Sequence, residues 1–190
     1  MKIDPMEIAD FKTELERLHS ASFGWALSCC RRDATEAEEV LQTVYLKIFE
    51  GKAVFRGESS LKTWLFAVIR KTAVTEYRRK LLRTLRLTND TTEVEHQGAY
   101  EAPTTSFERS EVQAHFQNAM KALPKRQREA LHLVFYEDLS LREAADVMGV
   151  SIGSARQHYE RGKKKMRESL AKMEVGYGNN WGRQENPSAV

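Results

Sequence analysis

Ser140-Leu141-Arg142-Glu143-Ala144-Ala145-Asp146-Val147-Met148-Gly149-Val150-Ser151-Ile152-Gly153-Ser154-Ala155-Arg156 decides the fold of this 190-residue chain. Ser140, with Glu143 three residues on, forms a capping box, in which a hydroxyl and a carboxylate satisfy backbone amides that a helix start leaves unpaired. Ala144, Ala145, Val147 and Met148 give that helix its apolar surface. Gly149 supplies the left-handed stop that a short turn requires, and Ser151 is positioned to cap the helix that follows. In this second helix Ile152, Ala155, Tyr159, Gly162 and Met166 recur at spacings of three and four, one buried stripe. Arg156, Gln157, His158, Glu160, Arg161 and Lys163 fall on the other faces. A tight turn, small residues for close packing and long hydrogen-bonding side chains opposite them suit a helix that reads a DNA major groove. The competing reading is an αα-hairpin with a solvated basic face.

Upstream, Pro124-Lys125-Arg126-Gln127-Arg128 puts cations at a helix start, where they reach phosphates beside backbone amides. Further towards the N-terminus the helical period persists and no run alternates as a strand does. Ile8, Phe11, Leu15, Leu18, Ser22 and Trp25 make one stripe, opened by Asp4-Pro5 with Glu7. A second helix starts at Thr35, with Glu38 three residues on, and turns Val40, Leu41, Val44, Tyr45, Ile48 and Phe49 to one face. Gly51 and Gly57 bracket a loop; Ser59-Ser60 opens a third helix with Leu61, Trp64, Leu65, Val68 and Ile69 inward. From Thr88 to Thr105 the periodicity fails, which marks a linker; it resumes near Phe107. The predicted fold is all-α: two small helical domains, 1–86 and 107–173, joined by a flexible acidic linker over 87–106 and followed by a disordered tail over 174–190.

The net charge of +3 conceals a pattern. Residues 1–50 carry 6 basic and 10 acidic side chains, 51–87 carry 10 and 2, 88–111 carry 1 and 6, and 150–173 carry 7 and 2. Two basic blocks separated by an acidic one predict two polyanion-binding surfaces and a segment that avoids them. In the first basic block, Phe55, Arg56, Lys62, Trp64, Phe66, Arg70, Lys71, Tyr77 and Arg78 interleave rings with cations. That is the chemistry of single-strand binding, each stacked base contributing roughly 1–3 kcal/mol. Extruding a base costs only a few kcal/mol, so one or two such pockets can hold strands apart. Trp64 lies on the apolar stripe and reads equally well as core. Phe66 lies off it, and exposure is the expectation. The acidic helix start at Glu36, Glu38 and Glu39 fits a basic protein partner or the helix dipole.

Some chemistries find no support. A mean hydropathy of −0.57 and a longest apolar stretch of about six residues argue against a membrane span, which needs about 20. The start Met1-Lys2-Ile3-Asp4-Pro5 is no signal peptide. Adjacent Cys29 and Cys30 make neither a disulfide framework nor a metal knuckle, and they fit a reducing cytoplasm as small buried hydrophobes. His19, His96, His115 and His132 show no ligand spacing, and no phosphate loop or nucleophile–base pair occurs. The expectation is a protein that is not an enzyme and uses neither metal nor cofactor.

Two ordered motifs carry a family resemblance. Thr35-Glu36-Ala37-Glu38-Glu39-Val40-Leu41-Gln42, followed by Phe55-Arg56-Gly57-Glu58-Ser59-Ser60-Leu61-Lys62-Thr63-Trp64-Leu65, resembles region two of bacterial sigma-70 factors. Leu123-Pro124-Lys125-Arg126-Gln127-Arg128-Glu129, Leu139-Ser140-Leu141-Arg142-Glu143-Ala144-Ala145 and Gly149 to Arg156 resemble region four. Two regions with a short linker are the layout of the extracytoplasmic-function subfamily. The resemblance implies a cytoplasmic promoter-specificity subunit, with the nucleoid when in holoenzyme, and no insertion into a membrane. Its implied partners are core RNA polymerase (the clamp helices of the largest subunit and the flap of the second-largest), single- and double-stranded promoter DNA, and an anti-sigma factor. Glu38, Glu39, Val40, Gln42 and Tyr45 would dock on polymerase. The cations and rings from Phe55 to Arg78 would capture and melt the minus-ten element. Arg126, Arg128, Arg142, Ser151, Ser154, Arg156, Gln157, His158 and Arg161 would bind the minus-thirty-five element. Thr43, Lys71, Val134 and His158 depart from the common pattern, which has Glu, Asn, Arg and Arg there. The alternative is a stand-alone helix-turn-helix regulator whose N-terminal half senses a ligand or dimerises, binding its operator without polymerase.

Overall fold

The computed structural model describes residues 5–87 and 116–171, with side chains over 11–85 and 116–171, and among them the regular structure is helical throughout. The elements are α1 (Pro5–Arg17), α2 (His19–Cys29), α3 (Ala34–Phe49), α4 (Leu61–Leu87), α5 (116–121), α6 (Lys125–Leu131), a π-helical turn over His132–Tyr136, α7 (Leu141–Met148) and α8 (Ile152–Ala171). The Asp4 cap, the linker beyond Leu87, the onset at Phe107 and the tail lie outside the described residues.

Local chemistry sets most boundaries as the sequence predicts. Ser60 Oγ accepts from the Thr63 amide at 3.1 Å and opens α4. The capping box is complete: Ser140 Oγ accepts from the Glu143 amide at 3.2 Å, and the Ser140 amide donates to Glu143 Oε2 at 2.9 Å. Gly149 adopts φ +62°, the left-handed conformation that ends α7 and that a Cβ disfavours. Ser151 then accepts from the Ser154 amide at 3.2 Å. Two starts differ. The acidic helix begins after Asp33, whose carboxylate accepts from the Glu36 amide at 2.9 Å, and not at Thr35; a carboxylate N-cap also meets the positive end of the dipole. The stripe from Phe11 to Trp25 is split between α1 and α2 at Leu18, whose ψ of −4° departs from helical geometry.

Domain two (α1–α4) centres on Trp25, which is fully buried and whose indole N–H donates to the Phe66 carbonyl at 3.0 Å. Leu27, Val40, Leu41, Val44, Leu65 and Ile69 surround it. Domain four (α5–α8) packs α6, α7 and α8 against one another. Gly162 lets α8 close on α6: a Cβ there would lie 3.1 Å from Leu131 and 3.2 Å from the Gln127 carbonyl oxygen. Of the predicted α8 stripe, Ala155, Gly162 and Met166 are buried and Tyr159 is half-buried. Ile152, expected on the same stripe, is exposed.

The domains also pack on each other, α7 against α4 and α6 against α2. One apolar cluster runs from Trp25, Phe66 and Ile69 into Ala130, Leu133, Leu139, Ala144, Val147 and Met148. Both faces of α7 are thereby covered, which accounts for four buried apolar residues in eight.

Candidate nucleic-acid interface

Three surfaces carry the residues singled out by sequence. On α3, Glu38, Glu39 and Gln42 are exposed, with Tyr45 half-buried and hydrogen-bonded through its hydroxyl to His19 Nδ1 at 3.0 Å. Val40 is a correction: at 3% exposure it belongs to the core and supports the face from beneath. Thr43 bonds back to the Glu39 carbonyl at 2.8 Å, and Glu36 is held by Lys80 at 2.7 Å.

The second surface runs along the loop before α4 and the helix itself. Arg56, Lys71, Tyr77 and Arg78 are exposed. Phe55 and Trp64 are half-buried and form a ring cluster with Phe11, centroids 5.5–6.5 Å apart. Arg31, left-handed at φ +55°, lies over the Tyr77 ring and donates to its hydroxyl at 3.2 Å. Phe66 reverses the expectation of exposure. It is 0% exposed, stacked on Trp25 with centroids 6.0 Å apart and capped by the Lys62 ammonium at 5.5 Å. Its ring belongs to the apolar cluster that both domains share, centred here on Trp25 of α2.

Lys62 and Arg70 of α4 pair with domain four. Lys62 Nζ lies 3.0 Å from Glu137 Oε2 and donates to the Glu137 carbonyl at 2.7 Å. Arg70 Nε lies 3.3 Å from Glu129 Oε2, which Arg126 also approaches at 3.3 Å. Thr63 Oγ1 donates to Glu143 Oε1 at 3.3 Å. Burial pushes the Glu137 carboxyl up, but contacts with His132 and Lys62 outweigh it and hold it below the usual carboxylate range. Hydrogen bonds from Ser140 hold Glu143 below it as well.

The third surface is the helix-turn-helix. Arg142, Ser151, Arg156, Gln157 and Arg161 are exposed, and Ser154 and His158 half-buried. Arg126 donates to the Met148 carbonyl at 3.0 Å, and Arg128 to the Lys121 and Leu123 carbonyls at 3.3 and 3.4 Å. These two cations therefore hold their own domain together while bordering the surface. Val134 packs on the core cluster, which accounts for an apolar residue there.

Sequence reasoning missed three features. Thr75, Arg79, Leu82 and Arg83 join Arg78 in lining a shallow hollow on α4, and Leu81, Leu82 and Leu85 are exposed around it; the signal was a leucine run inside a basic block. Glu129 and Glu137 were unremarkable in a charge-balanced segment. The π-helical turn over His132–Tyr136, which brings His132 within 5.2 Å of the Trp25 ring, had no local signature. Burial, then the neighbouring Glu129 charge, raises the Cys29 thiol well above its ordinary value; burial and then Glu36 bring Cys30 to about 12. Among the described residues, no three His, Cys, Asp or Glu side chains are placed to hold a metal ion, and no helix is long and apolar enough to cross a membrane.

Residues 15–82 match the family described as Sigma-70 region 2, and residues 114–166 match Sigma-70, region 4. The chain is 30% identical over 120 residues to the ECF RNA polymerase sigma factor SigM of Bacillus subtilis, a match covering 63% of this chain and 71% of that one. It is 27% identical over 142 residues to the RNA polymerase sigma factor SigZ of the same organism, covering 73% and 74%. Among solved structures it is similar to the sigma factor RpoE of Bartonella quintana, determined in complex with the anti-sigma factor NepR. That likeness has a TM-score of 0.68 and 26% identity, and it covers 85% of this chain and 97% of that one.

Proposed function

The chain belongs to the extracytoplasmic-function sigma factors of the sigma-70 family, and we propose that it directs core RNA polymerase to promoters through three separate faces. It supplies recognition, and the bond-making chemistry of RNA synthesis stays with the polymerase. Its place of work is then the cytoplasm, on the nucleoid when in holoenzyme.

The observation that carries this reading is the coexistence of an exposed acidic α3 face and an exposed basic α8 face in one chain with both sigma regions in order. Glu38, Glu39, Gln42 and Tyr45 present charge and hydrogen-bonding capacity to a basic protein surface, the proposed clamp helices. Such complementarity sets orientation and encounter rate more than affinity. The flap of the second-largest subunit is the proposed contact for domain four, and an anti-sigma factor is a proposed further partner.

On α8, Arg156 and Gln157 extend from a scaffold fixed by two serine caps and Gly149. A bidentate side chain on a base edge contributes about 1–3 kcal/mol of discrimination, whereas Arg142 and Arg161 fit phosphate contacts. Arg56 in the loop before α4 and Lys71, Tyr77 and Arg78 on the exposed part of α4 form the proposed strand-capturing surface. Cations there track phosphates, and stacking of bases on Phe55, Trp64 or Tyr77 offsets the few kcal/mol lost on unstacking.

The test is run-off transcription with purified core polymerase on a promoter library. Defined transcripts above those of core alone are expected. No initiation above core alone, with no inhibitor present, contradicts the reading. Operator binding that persists without polymerase and never yields transcripts favours the stand-alone regulator.

A further inference from the structure

We propose that Glu160 is a specificity-determining residue of α8: its carboxylate selects cytosine at one position of the minus-thirty-five element. The assignment rests on the proposed reading of that element by α8 and names a base which that reading left open.

The phase of α8 puts Glu160 on the ridge that faces outward. Ala155, Gly162 and Met166 are buried, with Tyr159 and Lys163 half-buried beside them. At about 3.6 residues per turn, Gly153, Arg156, Gln157 and Glu160 fall on the side turned away from that stripe, and all four are exposed. Their spacings of three, one and three are those at which recognition helices of the homeodomain type present base-reading side chains. Glu160 lies about 12 Å from the Ile152 start of α8 at ~1.5 Å per residue, a distance equal to the width of a major groove.

The neighbours of Glu160 leave it available. Lys163 Nζ lies 3.5 Å from Glu160 Oε1, but the same ammonium is drawn back over the Tyr159 ring, 5.1 Å from its centroid. The Glu160 side chain remains 59% exposed beside it. Side chains at i and i+4 are neighbours on a helix, yet Arg156 pairs with no carboxylate among the described residues. A donor and an acceptor therefore stand one turn apart, both turned outward.

A carboxylate at this place opposes general affinity for DNA. Residues 150–173 carry 7 basic side chains and 2 acidic ones, Glu160 and Glu168, and cations in such a helix are what neutralise phosphates. What the carboxylate offers in return is selection. In the major groove cytosine presents an N4 amino donor, guanine presents the acceptors O6 and N7, and thymine presents the acceptor O4. An ionised carboxylate accepts and cannot donate, so it bonds to cytosine and repels guanine and thymine at the same step. Adenine offers its N6 amino group but sets the N7 acceptor beside it. Gln157 carries both a donor and an acceptor and fits that adenine pattern instead. Positions 157 and 160 are about 4.5 Å apart along the axis, close to the ~3.4 Å step between bases, so the two side chains meet neighbouring base pairs.

The test is run-off transcription with core polymerase and the full chain on a library randomised over the minus-thirty-five element. Base preference is read within one library, independently of overall activity. Glu160→Ala and Glu160→Gln are compared with the unaltered chain, and Glu168→Gln, about two turns further on, is the control for the change in charge. The unaltered chain should favour cytosine about tenfold at one position. Glu160→Ala should abolish that preference and leave the other positions as they were. Glu160→Gln should redirect it to adenine, which an amide side chain meets with both its polar atoms. Glu168→Gln should raise binding evenly and alter no preference. A base preference identical in the Glu160 variants and the unaltered chain, or one lost equally in all three variants, overturns the proposal and leaves Glu160 as a partner that tempers Lys163. Failure of the unaltered chain to select any minus-thirty-five sequence removes the sigma reading itself, and the proposal with it.

Discussion

α4 and α8 are both basic amphipathic helices, and the structure treats them oppositely. In α8 the hydrophobic stripe accounts for almost all the burial, and Arg156, Gln157 and Arg161 stand in solvent. In α4 the stripe accounts for only part of the burial: Phe66, off the stripe, stacks on Trp25, and Lys62 and Arg70 pair with carboxylates of a second domain. A periodic stripe reports the neighbour that a helix always has. It is silent about a neighbour that arrives from 60 residues away and contacts polar or off-stripe positions.

Substituting one residue in each helix is the strongest way to break this comparison. Phe66→Ala removes a ring packed on Trp25 in the cluster shared by both domains and should cost about 3–5 kcal/mol of stability, read as a lowered midpoint in urea. A loss below ~1 kcal/mol would return Phe66 to the exposed surface. Arg156→Ala, by contrast, should leave stability within about 0.5 kcal/mol. It should weaken holoenzyme binding to the minus-thirty-five element by roughly 1–3 kcal/mol, with specificity relaxed at one position. A uniform loss over all sequences would make Arg156 a phosphate contact.

A smaller effect sharpens the view of how the helix-turn-helix is fixed. Ser140→Ala removes the hydroxyl half of the capping box, leaving the backbone amide on Glu143, and should destabilise the chain by about 1 kcal/mol, with thermal unfolding as the measure. The smallest effect concerns pH. Glu137 and Glu143 both titrate below the ordinary value of 4.5, so they contribute stability that is fully present above it and lost as pH falls through their lowered values. The melting temperature should therefore be level near neutrality and decline on acidification below about 4.5. Glu137→Gln should make that decline shallower, and an unaltered decline would detach Glu137 from the effect.

What was legible in the sequence was what depends on neighbours close in the chain. The capping box at Ser140, the left-handed Gly149, the Ser151 cap and the small-residue stripe through Ala155 and Gly162 each follow from local chemistry, and each is present. The capping residue of α3 was misread by two positions because Asp33 and Thr35 are both acceptable caps and only packing selects between them. Val40 was assigned to a surface by the motif around it, whereas its place in the core follows from its own position on the helix. The interdomain contact was illegible because its acidic partners, Glu129 and Glu137, are separated from Arg70 and Lys62 by 59 and 75 residues.

Permanganate footprinting of a promoter with core polymerase, alone and with this chain, tests the central claim most directly, because it reads strand opening itself. The account predicts unpaired, reactive thymines confined to the minus-ten element, present only when core and this chain are combined and lost when the minus-thirty-five element is scrambled. Thymines that stay paired with both proteins bound, or that open with this chain alone, would contradict it.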